Sequence, residues 1–303
     1  MKDKKIYFVD VTNRDGVQTS RLGLAKLQKT IINLMLDEMG ITQSEFGFPT
    51  TKHEINYLNG NLELVHRNVI SKTKLSGWMR AMAEDVELSF KNVPHLKNCN
   101  LSQSTSEQMI NGKYQGKKSF DDILGMTADA VKCAVSKGAE IIGVNAEDAS
   151  RSDIDFLIKF AKVAQKNGAM RFRYCDTLGF EDPKTSYDRV YKIARETGMP
   201  IELHFHNDLG MAVGCSIMGA KGAIDAGVDA YINTAINGMG ERAGNADLVS
   251  CLLAILKSAG FKNEYHIDPN IDLSKAWQLA KYTSYAFGVP IPINQPAVGD
   301  NAF

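Results

Sequence analysis

Cysteine is scarce in this chain: five residues in 303, at positions 99, 133, 175, 215 and 251, an odd number with no CxxC spacing. That excludes a disulfide framework and a thiolate zinc site, and predicts reduced thiols in a cytoplasmic protein. Net charge is absent too, with Lys plus Arg and Asp plus Glu at 35 each. Binders of nucleic acid or of membrane surfaces depend on a net basic field, so neither partner is expected. No apolar run reaches about 18 residues, so no helix is expected to span a bilayer. The opening MKDKKIYFVDVT carries two acidic residues in its first ten and no long apolar stretch, and is not read as a signal peptide.

What the chain does have is rhythm. Short runs at 6–12, 41–48, 74–80, 95–102, 140–146, 170–176, 201–207 and 229–235 read as strands. Amphipathic runs lie between them. In LAKLQKTIINLMLDEM, residues Leu24, Leu27, Ile31, Leu34 and Met35 keep the spacing of one buried helix face. DILGMTADAVKCAVSK and DFLIKFAKVAQK repeat that pattern. Gly40, Gly138, Gly168, Gly198 and Gly227 stand one to three residues before a strand, where a helix can stop on a left-handed residue.

Strands separated by helices pair in parallel through right-handed crossovers. Eight such units in about 260 residues predict an α/β protein, a closed (β/α)8 barrel. A doubly wound open sheet shares the periodicity, and the polar residues separate the two. Asp10 to Asp15 follow strand one, Glu45 lies in strand two, and Arg80 follows strand three. Ser102 to Ser104, Asn145 to Asp148, Asp176 with Thr177, His204 to Asp208 and Asn237 to Asn245 end the other five. A barrel gathers all of these at its C-terminal mouth, whereas an open sheet spreads them along a line. From residue 264 the rhythm stops: one helix over 272–287 precedes a Pro-rich extended tail. The expected division is a catalytic barrel over 1–263 and, over 264–303, the start of a truncated C-terminal subdomain.

His204 and His206 lie two apart at the end of strand seven, so both imidazoles face the same side and can reach one ion. Two hydrogen-bonded histidines at a barrel rim are the alternative. Asp15 follows strand one beside Arg14, where a carboxylate often serves only as an ion pair. Closure of the barrel brings strand one next to strand eight, and Asp15 can then approach the two histidines across the mouth. One carboxylate and two imidazoles suit zinc, manganese, iron or magnesium with positions left open for substrate. In NGMGERAGN (237–245), Gly238, Gly240, Ala243 and Gly244 let backbone come close to a ligand; the alternative is a plain turn with a Glu241–Arg242 surface pair.

In order along the chain, VTNRDGVQ, SEFGFP, NAEDASRSD, CDTLGF, HFHNDLGMA and NGMGERAGN resemble the acetyl-CoA-dependent Claisen-condensing branch of the metallolyase barrels. That branch holds the isopropylmalate, citramalate and homocitrate synthases and the Re-face citrate synthases. The resemblance implies one divalent metal ion (Mn2+, Mg2+, Zn2+ or Co2+) on Asp15, His204 and His206, with Asn245 as a weaker or water-mediated fourth ligand. It implies acetyl-CoA as co-substrate, Arg14 at the enolate oxygen, Thr177 on the 2-oxo acid and Glu147 as a catalytic carboxylate. Gln18, Glu45 and Arg80 match positions lining the 2-oxo acid pocket, and the loop at Gly238 and Gly240 sits near the acyl-CoA. A homodimer is implied as well.

Two departures stand out. Asn13 replaces the family's leucine, which predicts a smaller or more polar substrate. The family's histidine-containing segment beyond NAF, which completes a partner's site, has no counterpart in this sequence, so the chain alone is expected to lack its role. NRDGVQ and SEFGFPTTKHE are most similar to the Re-face citrate and homocitrate synthases, which accept dicarboxylic 2-oxo acids. Isopropylmalate- or citramalate-type synthases come next. Acyl-CoA carbon–carbon lyases carry a cysteine in the strand-eight loop, and NGMGERAGN has none. A Schiff-base aldolase needs a lysine at a strand end, and NAED, YCDT and HFHN offer none. A non-catalytic barrel would have lost the metal set.

Overall fold

Helix starts in this chain are written into its side chains. Asp153 accepts from the amides of Asp155 and Phe156 and opens helix α6 (Ile154–Lys166). Asp182, followed by Pro183 in the first turn, opens α7 (Pro183–Thr197) in the same way. Ser119 and Asp122 form a reciprocal capping box on α5 (Phe120–Ser136). Each such cap satisfies amides that the first turn leaves unpaired and contributes about 1 kcal/mol. Stops are as explicit: Gly40 (φ 77°) and Gly198 (φ 65°) end α1 (Lys26–Met39) and α7 in the left-handed region.

The computed structural model describes residues Lys4–Ala302. Eight strands, β1 (Lys5–Asp10), β2 (Gln43–Gly47), β3 (Lys74–Arg80), β4 (Asn98–Ser104), β5 (Ile141–Glu147), β6 (Arg171–Asp176), β7 (Ile201–Phe205) and β8 (Ala230–Thr234), pair in parallel and in chain order. β1 pairs with both β8 and β2, which closes the barrel. The open-sheet alternative is thereby excluded. Helices α2 (Ile55–His66), α3 (Ala83–Asn92), α8 (Ala212–Asp225) and α9 (Leu248–Lys257) complete the outer ring with α1, α5, α6 and α7.

The buried face of α1 is not the expected one, since Ile32, Leu36 and Met39 are buried and Leu27 is 70% exposed. Three further features differ from the sequence expectation. Strand four begins at Asn98, not 95, because the Leu96 amide turns back to the Val93 carbonyl. A further helix, α4 (Glu107–Tyr114), capped by Ser106, stands in the loop after β4 beside the mouth. Past residue 264, a two-residue strand β9 (His266–Ile267) pairs with the outer side of β1 at Lys5 and Ile6. Helix α10 (Ala276–Phe287) then packs against α1 and the turn at Ile236–Gly238.

The outward faces of the strands carry the apolar core: Phe8, Phe46, Leu101, Val144, Phe172 and Leu203 are buried against the helices. The inward faces are different. Barrel interiors usually fill with branched aliphatic residues, whereas this one holds a ladder of charges. Arg171 Nε lies 3.6 Å from Glu202 Oε2, Glu202 Oε1 accepts from Arg173 Nη2 at 2.5 Å, and Arg173 Nη2 also donates to Glu45 Oε2 at 2.6 Å. Glu45 accepts from Arg14 Nε at 2.6 Å, and Arg14 Nη1 donates to Asp15 Oδ2 at 2.8 Å. Gly143 leaves the room this needs, since a Cβ there would stand 2.0 Å from Asn100 Oδ1. The ladder ends at the C-terminal mouth.

Candidate metal centre

Strand alternation puts Glu202, His204 and His206 on the inner side of β7, with the first inside the barrel and the other two at its mouth. His206 lies just beyond the strand and forms an isolated bridge with Asn245, which folds the loop after β8 back over the end of β7. Asp15 enters from the loop after β1, where the amides of Arg14, Asp15 and Gly16 all donate to the Val11 carbonyl. Ligand atoms of Asp15, His204 and His206 all lie within 4.8 Å of one another, and all three residues are buried. The Nε2 atoms of the two imidazoles are 3.2 Å apart, and His204 Nε2 is 3.4 Å from Asp15 Oδ2.

The electrostatics suit a cation. Burial alone would raise Asp15, but Arg14 and the imidazoles outweigh it and hold the carboxyl well below the usual range. Burial, then the neighbouring His204, pushes His206 down to about 3, so its ring stays neutral. One ionised carboxylate and two nitrogen donors thus converge on a point, which is the donor set of an open divalent site. Asn245 donates through Nδ2 to Asp15 Oδ1 at 2.9 Å, and its own Oδ1 is buried without a partner. Gly240 makes this approach feasible: a Cβ there would stand 2.1 Å from Asn245 Nδ2 and 3.1 Å from Asp15 Oδ1.

A cavity of about 220 Å³ opens onto the three ligands, lined by Arg14, Gln18, Glu147, Thr177 and Glu241 among others. Arg14 Nη2 donates to none of the described residues there, and the guanidinium lies 5.5 Å from the Trp78 ring centroid. Burial would lower the Arg14 pKa, and Glu45 and Asp15 more than compensate. Thr177 Oγ1 accepts from the Asp148 amide at 2.9 Å, and Asp148 itself holds a left-handed φ of 63°. Glu147 Oε2 accepts from Ser104 Oγ at 2.7 Å and pairs with Lys113 of α4.

Not every expected residue reaches the cavity. Glu45 is fully buried below it, where Arg173 and Arg14 hold its carboxyl at about 2 against the opposing effect of burial. Arg80 is exposed beyond the rim and pairs with Asp85 at the start of α3. Gly238 sits in the turn after β8, with the Asn245 carbonyl 3.3 Å from where its Cβ would be. Asn13 points away from the cavity, donating to the Lys29 carbonyl and Asn33 Oδ1 behind the barrel wall, so it cannot tune the substrate. The surface pair at Glu241–Arg242 does form, at 3.5 Å, but Arg242 does more than that. Arg242 grips Asp208 at 2.9 Å and the Thr177 carbonyl at 2.6 Å, tying three loops together.

Sequence reasoning missed the cavity floor. Arg173 and Cys175 line it from β6, and Trp78, Phe48 and Ser102 line its side. With the Asn145 amide turned to satisfy its neighbours, Oδ1 accepts from Trp78 Nε1 at 3.2 Å and Arg173 Nη1 at 3.3 Å. The signal was present in RFRYCD, where arginines and a cysteine alternate with aromatics, the mark of a strand with a polar inner face.

A family model described as HMGL-like matches residues 5–282. The chain is 61% identical to the Citrate (Re)-synthase of Dehalococcoides mccartyi over 299 residues, 99% of this chain and 72% of that protein. It is 38% identical to 2-isopropylmalate synthase 2 of Caldanaerobacter subterraneus (100% and 73% covered), and 32% identical to Homocitrate synthase 1 of Nostoc sp. (99% and 74% covered). Among solved structures, the HMG-CoA lyase of Bacillus subtilis superposes with a TM-score of 0.74 at 17% identity over 96% of each chain, a likeness of fold.

Proposed function

The chain belongs to the HMGL-like family, and within it we propose that it is a citrate synthase of the Re-face type, condensing acetyl-CoA with oxaloacetate. Its chemistry is metal-assisted Claisen condensation of acetyl-CoA with a 2-oxo acid, an EC 2.3.3-type acyl transfer. The choice of oxaloacetate is carried by the 61% identity to the Citrate (Re)-synthase across 99% of the chain. The cavity supports it: Arg14, Arg173, Asn145 and Ser102 give a polar lining that suits a second carboxylate and not a branched alkyl group.

Asp15, His204 and His206 would hold the metal, with Asn245 as an outer ligand. A divalent cation held there would polarise the ketone of the 2-oxo acid. Thr177 Oγ1 donates to the substrate carboxylate while accepting from the Asp148 amide. Arg14 Nη2, fixed charged at any working pH, meets the oxygen of the acetyl-CoA enolate. Glu147 Oε1, which has no partner among the described residues, would take the proton that the acetyl-CoA methyl group loses as the enolate forms, while Lys113 and Ser104 hold the carboxylate in place. The enolate carbon then bonds to the ketone carbon, whose oxygen takes up a proton in turn. Gln18 positions Glu241 across the mouth through a 3.1 Å hydrogen bond. Hydrolysis of the resulting thioester releases citrate and free CoA.

Among the described residues no helix is long and apolar enough to cross a membrane. We read the protein as cytoplasmic and dimeric, with residues 1–263 as the catalytic barrel and 264–303 as a C-terminal appendage to it. Trp277 and Tyr285 of α10, 57% and 80% exposed, support a subunit contact there. The test is thiol release from acetyl-CoA with oxaloacetate, 2-oxoglutarate, pyruvate and 3-methyl-2-oxobutanoate, with and without chelator. Oxaloacetate should be turned over fastest, and labelled acetyl-CoA should mark the pro-R arm of citrate. A preference for 2-oxoglutarate would make the protein a homocitrate synthase.

A further inference from the structure

The end of the barrel opposite the metal centre holds a second built cavity, of about 190 Å³, lined by Thr42, Gln43, Lys74, Arg171 and Tyr231 among others. Arg171 is its floor and is only 4% exposed. A guanidinium has five N–H donors, and among the described residues this one makes a single hydrogen bond, from Nη2 to Gln43 Oε1 at 2.6 Å. Its Nε is buried without a hydrogen-bond partner, at 3.6 Å from Glu202 Oε2. Nη1 donates to none of the described residues. Tyr231 covers one face of the group, with its ring centroid 4.4 Å from the guanidinium carbon.

The nearest counter-ion, Glu202, is engaged through one oxygen, while its Oε2, 3.6 Å from Arg171 Nε, has no hydrogen-bond partner among the described residues. Glu202 Oε1 accepts from Arg173 Nε at 2.8 Å, from Arg173 Nη2 at 2.5 Å and from Asn233 Nδ2 at 2.8 Å. Arg171 is thus a buried cation whose only carboxylate neighbour among the described residues is shared with a closer arginine, an arrangement that is costly in a low-dielectric interior. At the rim stands Lys74, exposed and in no ion pair with the described residues. Thr42 and Lys74 also line an adjoining cavity with Lys72.

We propose that this N-terminal opening is a binding site for a small oxyanion, a carboxylate or a phosphate, received by Arg171 on the floor and Lys74 at the rim. The chemistry is that of a planar fork meeting two anion oxygens, with an ammonium group at the rim; the Thr42 hydroxyl is already given to Asp268 Oδ2 at 3.0 Å. A cavity of about 190 Å³ admits a phosphate or a short dicarboxylate.

Calorimetric titration of the full chain with inorganic phosphate and, separately, with malonate tests this. Each should be repeated in His206→Ala, where the metal centre is damaged and the opposite opening is intact. One saturable site per chain is expected, retained in His206→Ala and weakened about tenfold or more in Lys74→Gln and in Arg171→Gln. The tighter of the two anions identifies the class. Lys97→Gln, at a surface lysine that pairs with Glu140 outside this cavity, should bind as the unmodified chain does. If Arg171→Gln fails to fold, Lys74→Gln decides alone. Saturable binding unchanged in Lys74→Gln, or no saturable heat with either anion, overturns the assignment.

Discussion

Arg14 Nε donates to Glu45 Oε1 at 2.6 Å, and this bond sets where the rest of the guanidinium points. It leaves Nη1 on Asp15 and Nη2 facing the cavity. Replacing Glu45 by Gln removes the charge that Arg14 and Arg173 share. Stability should fall by about 3–5 kcal/mol, since two buried cations lose their common partner. kcat/KM should fall about a hundredfold through misplacement of Arg14. Denaturant unfolding and steady-state kinetics check both, and metal content should stay at the wild-type level because no ligand is touched.

Glu181 gives the fold a predictable pH response. Burial raises its carboxyl to about 7, against the opposing hydrogen bond from Tyr174 and the charge of Arg189. A folded-state pKa above the unfolded value means that this group's contribution is fully present below about pH 4.5 and is lost as pH rises through about 7. In Glu181→Gln the neutral form is permanent. The variant should therefore gain stability over the wild type at about pH 8 and show little difference at about pH 4. Urea unfolding at the two pH values measures the change.

Two glycines should respond in opposite ways to alanine. At Gly240 the new methyl group would meet Asn245 Nδ2 at 2.1 Å and crowd Asp15, so metal affinity and activity should both drop. At Gly60, within α2, a Cβ meets nothing within 4 Å, and alanine should stabilise the helix by about 0.5–1 kcal/mol. Thermal unfolding with and without added metal separates the two effects.

How much of this was legible in the residues depended on whether local pattern or long-range packing set the outcome. The HxH of β7 was legible because strand alternation alone places His204 and His206 on one face, and Asp15 because closure brings β1 round to β8. The inner ladder was not, because a charged strand position reads as solvent-facing until something shows that the solvent side is a barrel interior. Arg173 and Glu202 therefore escaped attention although RFRYCD and IELHFH alternate plainly. Asn13 misled for a related reason: adjacency to Arg14 in sequence says nothing about direction, and the turn after β1 sends it behind the wall to Asn33. Arg80 follows the inner face of β3, but it stands past the rim, where Asp85 captures it. The helix after β4 carries weak apolar periodicity and is held by its Ser106 cap, a signal too short to stand out.

The central claim is that Asp15, His204 and His206 share one cation. Elemental analysis of the full chain, loaded with Mn2+ or Co2+ and freed of excess by gel filtration, tests it most directly. One ion per chain should remain on the wild type and none on His204→Ala, with the heat stability conferred by metal lost in parallel. Undiminished metal content in that variant, with metal still raising its unfolding temperature, would contradict the account.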